Sequence, residues 1–468
     1  MKSVLITILF LMSAAANAVV KTAEVFSSNM VLQQEKNIRV WGTAEGGEKV
    51  KVALGKQKAT AIADSDGRWM VELQPMKATA KPLTMTVSGK KNKVVLKNLL
   101  VGEVWLASGQ SNMEYSMGAH PKYARPKKGD PEYLQHEWEK AKNPNIRLLY
   151  VEKNVRCDTL PTQGWQEVTQ ESLKQFSAAA WFFAEMIQDS LQVPVGIIST
   201  SWGGTYIEEW MDGASPFPHM ARLNRPEGRL YEKMLKPMAP LSIRGFLWYQ
   251  GESNLLDGDT DIYTEKQQYM VGQWRKAFMD ENLPFYYVQI SPYIYSTRRD
   301  WVAKTWMDLP RFWDAQTRCM DVIPNTGMVV TTDIPENLND IHPPYKWIVG
   351  RRLARWALHE VYGYKEVECR SPRIRSAERQ GDKVTLTFDH CEGGLTTADG
   401  NAPTWFQYYN KTRERYEKGK AVIDGNKVII NVGEVKCPLV SFGFDEVAQP
   451  NLCNKAGLPA IPFEVKLQ

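Results

Sequence analysis

Apolar and polar residues alternate with a period of two through much of the first hundred positions of the chain. Residues 37–41 and 49–53 read as half-buried strands on this spacing. Asp66-Gly67 falls between two further apolar runs, 60–63 and 68–72, and predicts a hairpin turn joining them. Residues 83–87 and 93–96 add two more strands. The segment 19–97 is therefore expected to form a small β-sandwich-like domain.

Near residue 101 the pattern changes. Residues 104–108 form a continuous apolar run of the kind buried on both faces of a sheet. Helical spacing over 176–191 is followed by an apolar strand at 195–198. A strand at 245–249, a helix over 263–279, strands at 285–290 and 327–331, and a helix over 346–361 complete the alternation. Strands that alternate with helices imply a parallel sheet covered on both faces, so the fold class expected for 98–365 is α/β. Functional residues of such sheets collect at the carboxyl ends of the strands. After residue 371 the β pattern returns, with strands at 383–388 and 427–431 and a turn at Asp424-Gly425-Asn426. The segment 366–468 is expected to be β-rich.

The first eighteen residues stand apart from this pattern. A positive start at Lys2, an apolar stretch over 4–12 and the small-residue exit Ala16-Asn17-Ala18 predict a cleavable secretory signal over 1–18. The stretch is shorter than the roughly 20 apolar residues a membrane span needs, so no stable membrane anchor is expected. The chain would then be secreted or periplasmic. Export permits oxidation of the six cysteines, and six allow about 15 pairings. They contain no Cys-x-x-Cys, which argues against a structural zinc site. The 58 basic and 53 acidic residues are intermixed, a balance that argues against a nucleic-acid partner.

Candidate chemistry lies where predicted strands end. Gly109-Gln110-Ser111-Asn112-Met113 follows the 104–108 strand and exposes a serine at a strand-to-helix turn. Trp202-Gly203-Gly204-Thr205 follows the 195–198 strand with paired glycines, whose N–H groups can approach a developing oxyanion. Trp248-Tyr249-Gln250-Gly251-Glu252-Ser253-Asn254 places the Gln250 amide at a third strand end, as an oxyanion donor or a structural bond. Asp340-Ile341-His342-Pro343 supplies a general base. The residue before a proline is held extended, so Asp340 and His342, two apart, can share one face. A carboxylate so placed can orient the imidazole.

These four blocks, in this order, resemble the sialate O-acetylesterase family of SGNH hydrolases, and 451–460 also resembles that family's ending. The resemblance implies a flavodoxin-like α/β domain and a serine esterase acting on O-acetylated sugars, sialic acid above all, without metal or cofactor. It implies Ser111 as nucleophile and His342 as base. It also implies an oxyanion hole of the Ser111 and Gly204 N–H groups, with Gly203 as the alternate. SGNH enzymes commonly carry asparagine in the third block; here Gln250, or Asn254, takes that place. They commonly carry aspartate three residues before the histidine; here Asn339 stands there and Asp340 is two before. A Ser–His dyad oriented by a backbone carbonyl is the alternative to a triad. Acetylxylan or another plant glycan is the alternative substrate, and a non-catalytic sugar-binding protein on an esterase scaffold is the alternative function.

Overall fold

The computed structural model describes residues 19–118, 126–157, 159–217, 226–298 and 302–467. The expected signal segment 1–18 lies outside the described residues.

The strand Lys93–Gly109 organises the molecule. Its first half pairs antiparallel with Thr79–Ser88, and its second half is the middle of a parallel sheet. The expected boundary at residue 97 thus lies inside one continuous strand. The central sheet runs Thr162–Glu167, Ile146–Val151, Val195–Ser201, Lys93–Gly109, Gly245–Tyr249, Phe285–Val288, Thr326–Val329. Every neighbouring pair is parallel except the first, which is antiparallel.

Both faces of the sheet are buried, which explains why its strands read as unbroken apolar runs. Side chains alternate between two cores. Phe246 and Trp248 enter one with Trp274 and Phe312. Leu247 and Tyr249 enter the other with Phe183, Leu353 and Trp356. The helices Tyr263–Ala277 and Asp308–Val322 cover the first face, and Ala178–Leu191 and Lys346–Glu360 cover the second. Removing each such large apolar side chain from water contributes about 1.5–3 kcal/mol. The helix Asp308–Val322 was not read from the sequence. Its Pro310 falls in the first turn, where a missing N–H costs nothing.

One expectation for the N-terminal region is corrected. The runs flanking Asp66-Gly67 do form strands, Gln57–Ile62 and Arg68–Leu73, but they are not a hairpin. Gln57–Ile62 pairs with Lys49–Leu54, whereas Arg68–Leu73 pairs with Ile38–Thr43 in a separate three-stranded sheet. The Asp64 carboxylate accepts the N–H groups of Asp66 and Arg68, and this turn carries the chain from one sheet to the other. Trp69, Val71 and Leu73 are the buried positions of the second strand, and joining the other sheet sends them into the core.

The C-terminal region is β-rich, with two four-stranded antiparallel sheets and a two-stranded one around their own core. It also braces loops at the carboxyl edge of the central sheet. The Glu446 carboxylate accepts from the Ser296 N–H and hydroxyl, and the Gln449 amide donates to Pro335 O. All six cysteines are unpaired thiols, five of them buried. Among the described residues no helix is long and apolar enough to cross a membrane.

Candidate active site

Strand register builds the site. Gly109 is paired with Ser201 on one side and Tyr249 on the other. The segments that follow these three residues therefore leave the sheet side by side, and they are three of the four blocks singled out above. Gly109 has φ +142°, and a Cβ there would lie 2.2 Å from Tyr249 O. Only glycine lets the chain turn out of the sheet at that point.

Ser111 opens the single-turn helix Ser111–Glu114, with Gln110 extended before it. His342 arrives on the loop between Thr326–Val329 and Lys346–Glu360. Its Nε2 is 2.9 Å from Ser111 Oγ, across 231 residues of sequence. Burial first, and then the Lys346 ammonium, push the imidazole down to about 4; the Asp340 and Glu114 carboxylates oppose the shift. The ring is neutral at neutral pH and can accept a proton.

Asp340 lies beside His342 in a different role from the one its spacing suggested. Its carboxylate accepts the backbone N–H of His342 at 2.9 Å, while Nδ1 of the ring stands 3.8 Å from it. That distance is beyond a hydrogen bond.

The glycine pair divides its work. Gly203 N–H donates to the Glu114 carboxylate, which also takes Lys153 Nζ. The Gly203 N–H is thereby committed, which removes it as the alternate oxyanion donor. Its missing side chain matters instead: a Cβ would sit 3.2 Å from Ser111 Cβ and 3.1 Å from a Glu114 carboxylate oxygen. Gly204, at φ +69°, lines the same cleft as Ser111 and His342.

Gln250 and Asn254 are corrected. Gln250 is fully buried; its Nε2 donates to Thr205 O and Asn254 Oδ1, and its Oε1 accepts from the Tyr263 hydroxyl. Asn254 is equally buried, donating to Glu208 and Asp259 and accepting the Ile207 N–H. Both amides are saturated by protein partners, and neither lines the cleft. The strand-end position was read rightly, but the side chain turns inward. The glutamine that lines the cleft next to Ser111 in the chain is Gln110. Its Oε1 accepts the N–H groups of Gly251 and Ser253 at 3.2 and 3.4 Å, which leaves Nε2 as its donor end.

Three further residues escaped the sequence reading. Asn112, Glu252 and Lys346 are all buried, close to Ser111, and each lay in or next to a quoted block. Nothing in spacing alone marks a side chain that bonds to a segment more than 200 residues away.

The cleft encloses about 750 Å³, within the usual range for a small-molecule site. Ser111, His342, Trp202, Ile341 and Glu252 contribute to its wall, with Lys153 and Lys174 as its cations. Among the described residues no arginine lines it. The Trp202 ring is backed by the Arg229 guanidinium at 4.9 Å, which also pairs with Glu209.

Comparison with known proteins gives the family. Residues 101–359 match the family described as carbohydrate esterase, sialic acid-specific acetylesterase. The chain is 26% identical over 452 residues to a sialate O-acetylesterase of Mus musculus, covering 82% of each chain. It is 27% identical over 408 residues to the Homo sapiens protein of that name, covering 79% of this chain and 76% of that one. Among solved structures, a carbohydrate acetylesterase from Xanthomonas citri superposes with a TM-score of 0.84 at 30% identity, covering 95% of this chain and 99% of the other.

Proposed function

The chain belongs to the sialic acid-specific acetylesterase family of carbohydrate esterases, and on that premise we propose that it removes O-acetyl groups from sialic acid by acyl transfer through Ser111 and His342. The 2.9 Å approach of His342 Nε2 to Ser111 Oγ in the cleft carries this reading.

His342, neutral near pH 7, takes the Ser111 proton as Oγ attacks the acetyl carbonyl. The oxyanion is held by the N–H groups of Ser111 and Gly204, with the Gln110 carboxamide in the place assigned from sequence to Gln250. The imidazolium then gives its proton to the departing sugar hydroxyl. The Asp340 and Glu114 carboxylates, which favour the charged ring, stabilise it at this stage. Water, deprotonated by His342, attacks the acetyl-enzyme and frees acetate, returning the proton to Ser111. Asp340 acts through the field of its charge and through the His342 main chain, so the working unit is a Ser–His pair with a nearby carboxylate.

Sialic acid is favoured over a neutral glycan by the family description, by the names of the relatives, and by Lys174 in the cleft, whose ammonium suits a substrate carboxylate while Lys153 is taken by Glu114. With residues 1–18 acting as an export signal, the reaction takes place in the periplasm or outside the cell. Acetate release from O-acetylated sialic acid and from acetylated xylan, by wild type and Ser111→Ala, tests the reading. Faster release from sialic acid, lost in the variant, is expected. Preference for xylan overturns the substrate, and activity retained in Ser111→Ala overturns the nucleophile.

A further inference from the structure

Asn112 follows the nucleophile directly, yet its side chain points away from the cleft into a buried polar cluster. Its Oδ1 accepts Lys346 Nζ at 2.6 Å. Its Nδ2 donates to the Glu252 carboxylate at 2.5 Å and to Ile341 O at 3.0 Å. Ile341 is the residue immediately before His342. One amide therefore links the residue beside the nucleophile to the residue beside the base, across 229 positions of sequence.

Only one orientation of this amide is allowed. Lysine has donors and no acceptor, so Oδ1 must face Lys346. Both N–H groups then fall on acceptors, the Glu252 carboxylate and the Ile341 carbonyl. Rotating the amide by half a turn would set donor against ammonium and oxygen against two oxygens. Lys346 is itself fixed: it is fully buried, and its ammonium lies 4.9 Å from the Tyr115 ring centre and 5.4 Å from that of Tyr249. Burying this cation is costly, and the stabilisation returned to it comes from the Asn112 oxygen, two aromatic faces and the nearby Glu252.

We propose that Asn112, locked by Lys346 and Glu252, is the positioning residue that holds the His342 loop in register with Ser111. The proposal rests on the Ser111–His342 reading and adds to it the part that sets their distance. A consequence follows for charge. The groups acting on His342 are Lys346, which opposes its protonation, and Asp340 and Glu114, which favour it. Those acting on Lys346 are Glu252 and Asp340. Loss of the Lys346 charge both frees the Asn112 amide and eases protonation of His342.

The test compares Asn112→Ala, Lys346→Met and the double variant for acetate release from a soluble acetyl ester across pH, with circular dichroism and Tm as checks of folding. In Asn112→Ala, kcat is expected to fall at least about tenfold with KM within about twofold. In Lys346→Met, kcat falls similarly and the acid limb moves up by about half a pH unit or more. On the pH plateau, above the acid limb, the double variant is no worse than the worse single one, because there Lys346 acts through Asn112. Folded Asn112→Ala with wild-type kcat, additive losses in the double variant, or an unmoved acid limb in Lys346→Met overturns the proposal. Should Lys346→Met fail to fold, Asn112→Asp decides. It keeps the shape and the Lys346 bond but sets an oxygen against Glu252 and Ile341, so a loss as large as in Asn112→Ala is expected and wild-type kcat overturns the proposal. Ser111→Ala run alongside separates the two levels: activity there defeats the nucleophile assignment itself, whatever Asn112 does.

Discussion

The Asp340 carboxylate is hydrogen-bonded to the backbone N–H of His342 at 2.9 Å and stands 3.8 Å from Nδ1 of the same residue's ring. The carboxylate thus secures the loop that carries His342 while acting on the imidazole only through its charge. A buried hydrogen bond to the ring would fix its tautomer, and removing such a bond costs about 10⁴ in kcat where it has been measured. A carboxylate acting at a distance is worth much less.

Asp340→Asn is accordingly expected to lower kcat by about tenfold rather than by the full triad-acid effect. The amide oxygen can still accept the His342 N–H. Because Asp340 favours the charged ring, its removal lowers the imidazole further, and the acid limb of the rate profile moves to lower pH. A pH series of kcat/KM for the two proteins measures both effects.

The wild-type profile has its own signature. In the proposed acyl transfer His342 must be neutral to accept the serine proton, and its imidazole is held down to about 4 by burial and by Lys346. Activity is therefore retained through mildly acidic pH, and the limb due to this group is centred near pH 4. A limb centred at the ordinary histidine value of about 6.5 would contradict the buried ring.

Gln250 and Gln110 are predicted to separate stability from catalysis. Gln250→Leu leaves the buried Thr205 O without its partner, at a cost of about 1–3 kcal/mol, while Asn254 Oδ1 keeps the Ile207 N–H and the Tyr263 hydroxyl keeps the main-chain carbonyl of residue 250. Its folded fraction should keep kcat within a few-fold. Gln110→Ala should lose about a hundredfold in kcat, the usual cost of one oxyanion donor, and also some stability, because the buried Gly251 and Ser253 N–H groups lose its Oε1. Chemical denaturation and steady-state kinetics on both variants check the pair, and the reverse pattern would restore Gln250 to the site.

Gly203→Ala brings a methyl to 3.2 Å from Ser111 Cβ and 3.1 Å from the Glu114 carboxylate that holds the Gly203 N–H. The nucleophile and its neighbour must shift by a few tenths of an ångström. A misplacement of about 1 Å is worth up to a hundredfold in rate, so kcat is expected to fall by about tenfold. Steady-state kinetics with a folding control measure it.

The strand-and-helix alternation, the three glycine-bearing strand ends and the Asp340–His342 segment were legible because each is a local pattern. Apolar runs buried on both faces declare a parallel strand wherever it lies; 245–249 and 346–361 fall within a residue of the elements observed, and the strand expected at 195–198 runs three residues further, to Ser201. Gly109 announces a turn because only its backbone tolerates φ +142° against Tyr249. Ser111 and His342 were likewise singled out by residue type, and the structure brings them to 2.9 Å of each other.

What local pattern could not decide is where side chains point once distant segments meet. Asp66-Gly67 has the chemistry of a hairpin turn, yet pairing energy with Ile38–Thr43 takes the second strand into another sheet. Gln250 ends a strand at the right edge, but Asn254, Thr205 and Tyr263 satisfy its amide inside the protein, while Gln110 faces the cleft. Asp340 sits two residues before His342, but the extended segment offers its carboxylate a backbone N–H before the ring. The amino-acid sequence by itself determined the elements, the order of the chemical blocks and the residue types available at each strand end. Tertiary structure alone decided which polar atoms are consumed by the fold and which face the substrate, because a buried donor or acceptor takes the partner that packing brings within 3 Å, and that partner can lie more than 200 residues away.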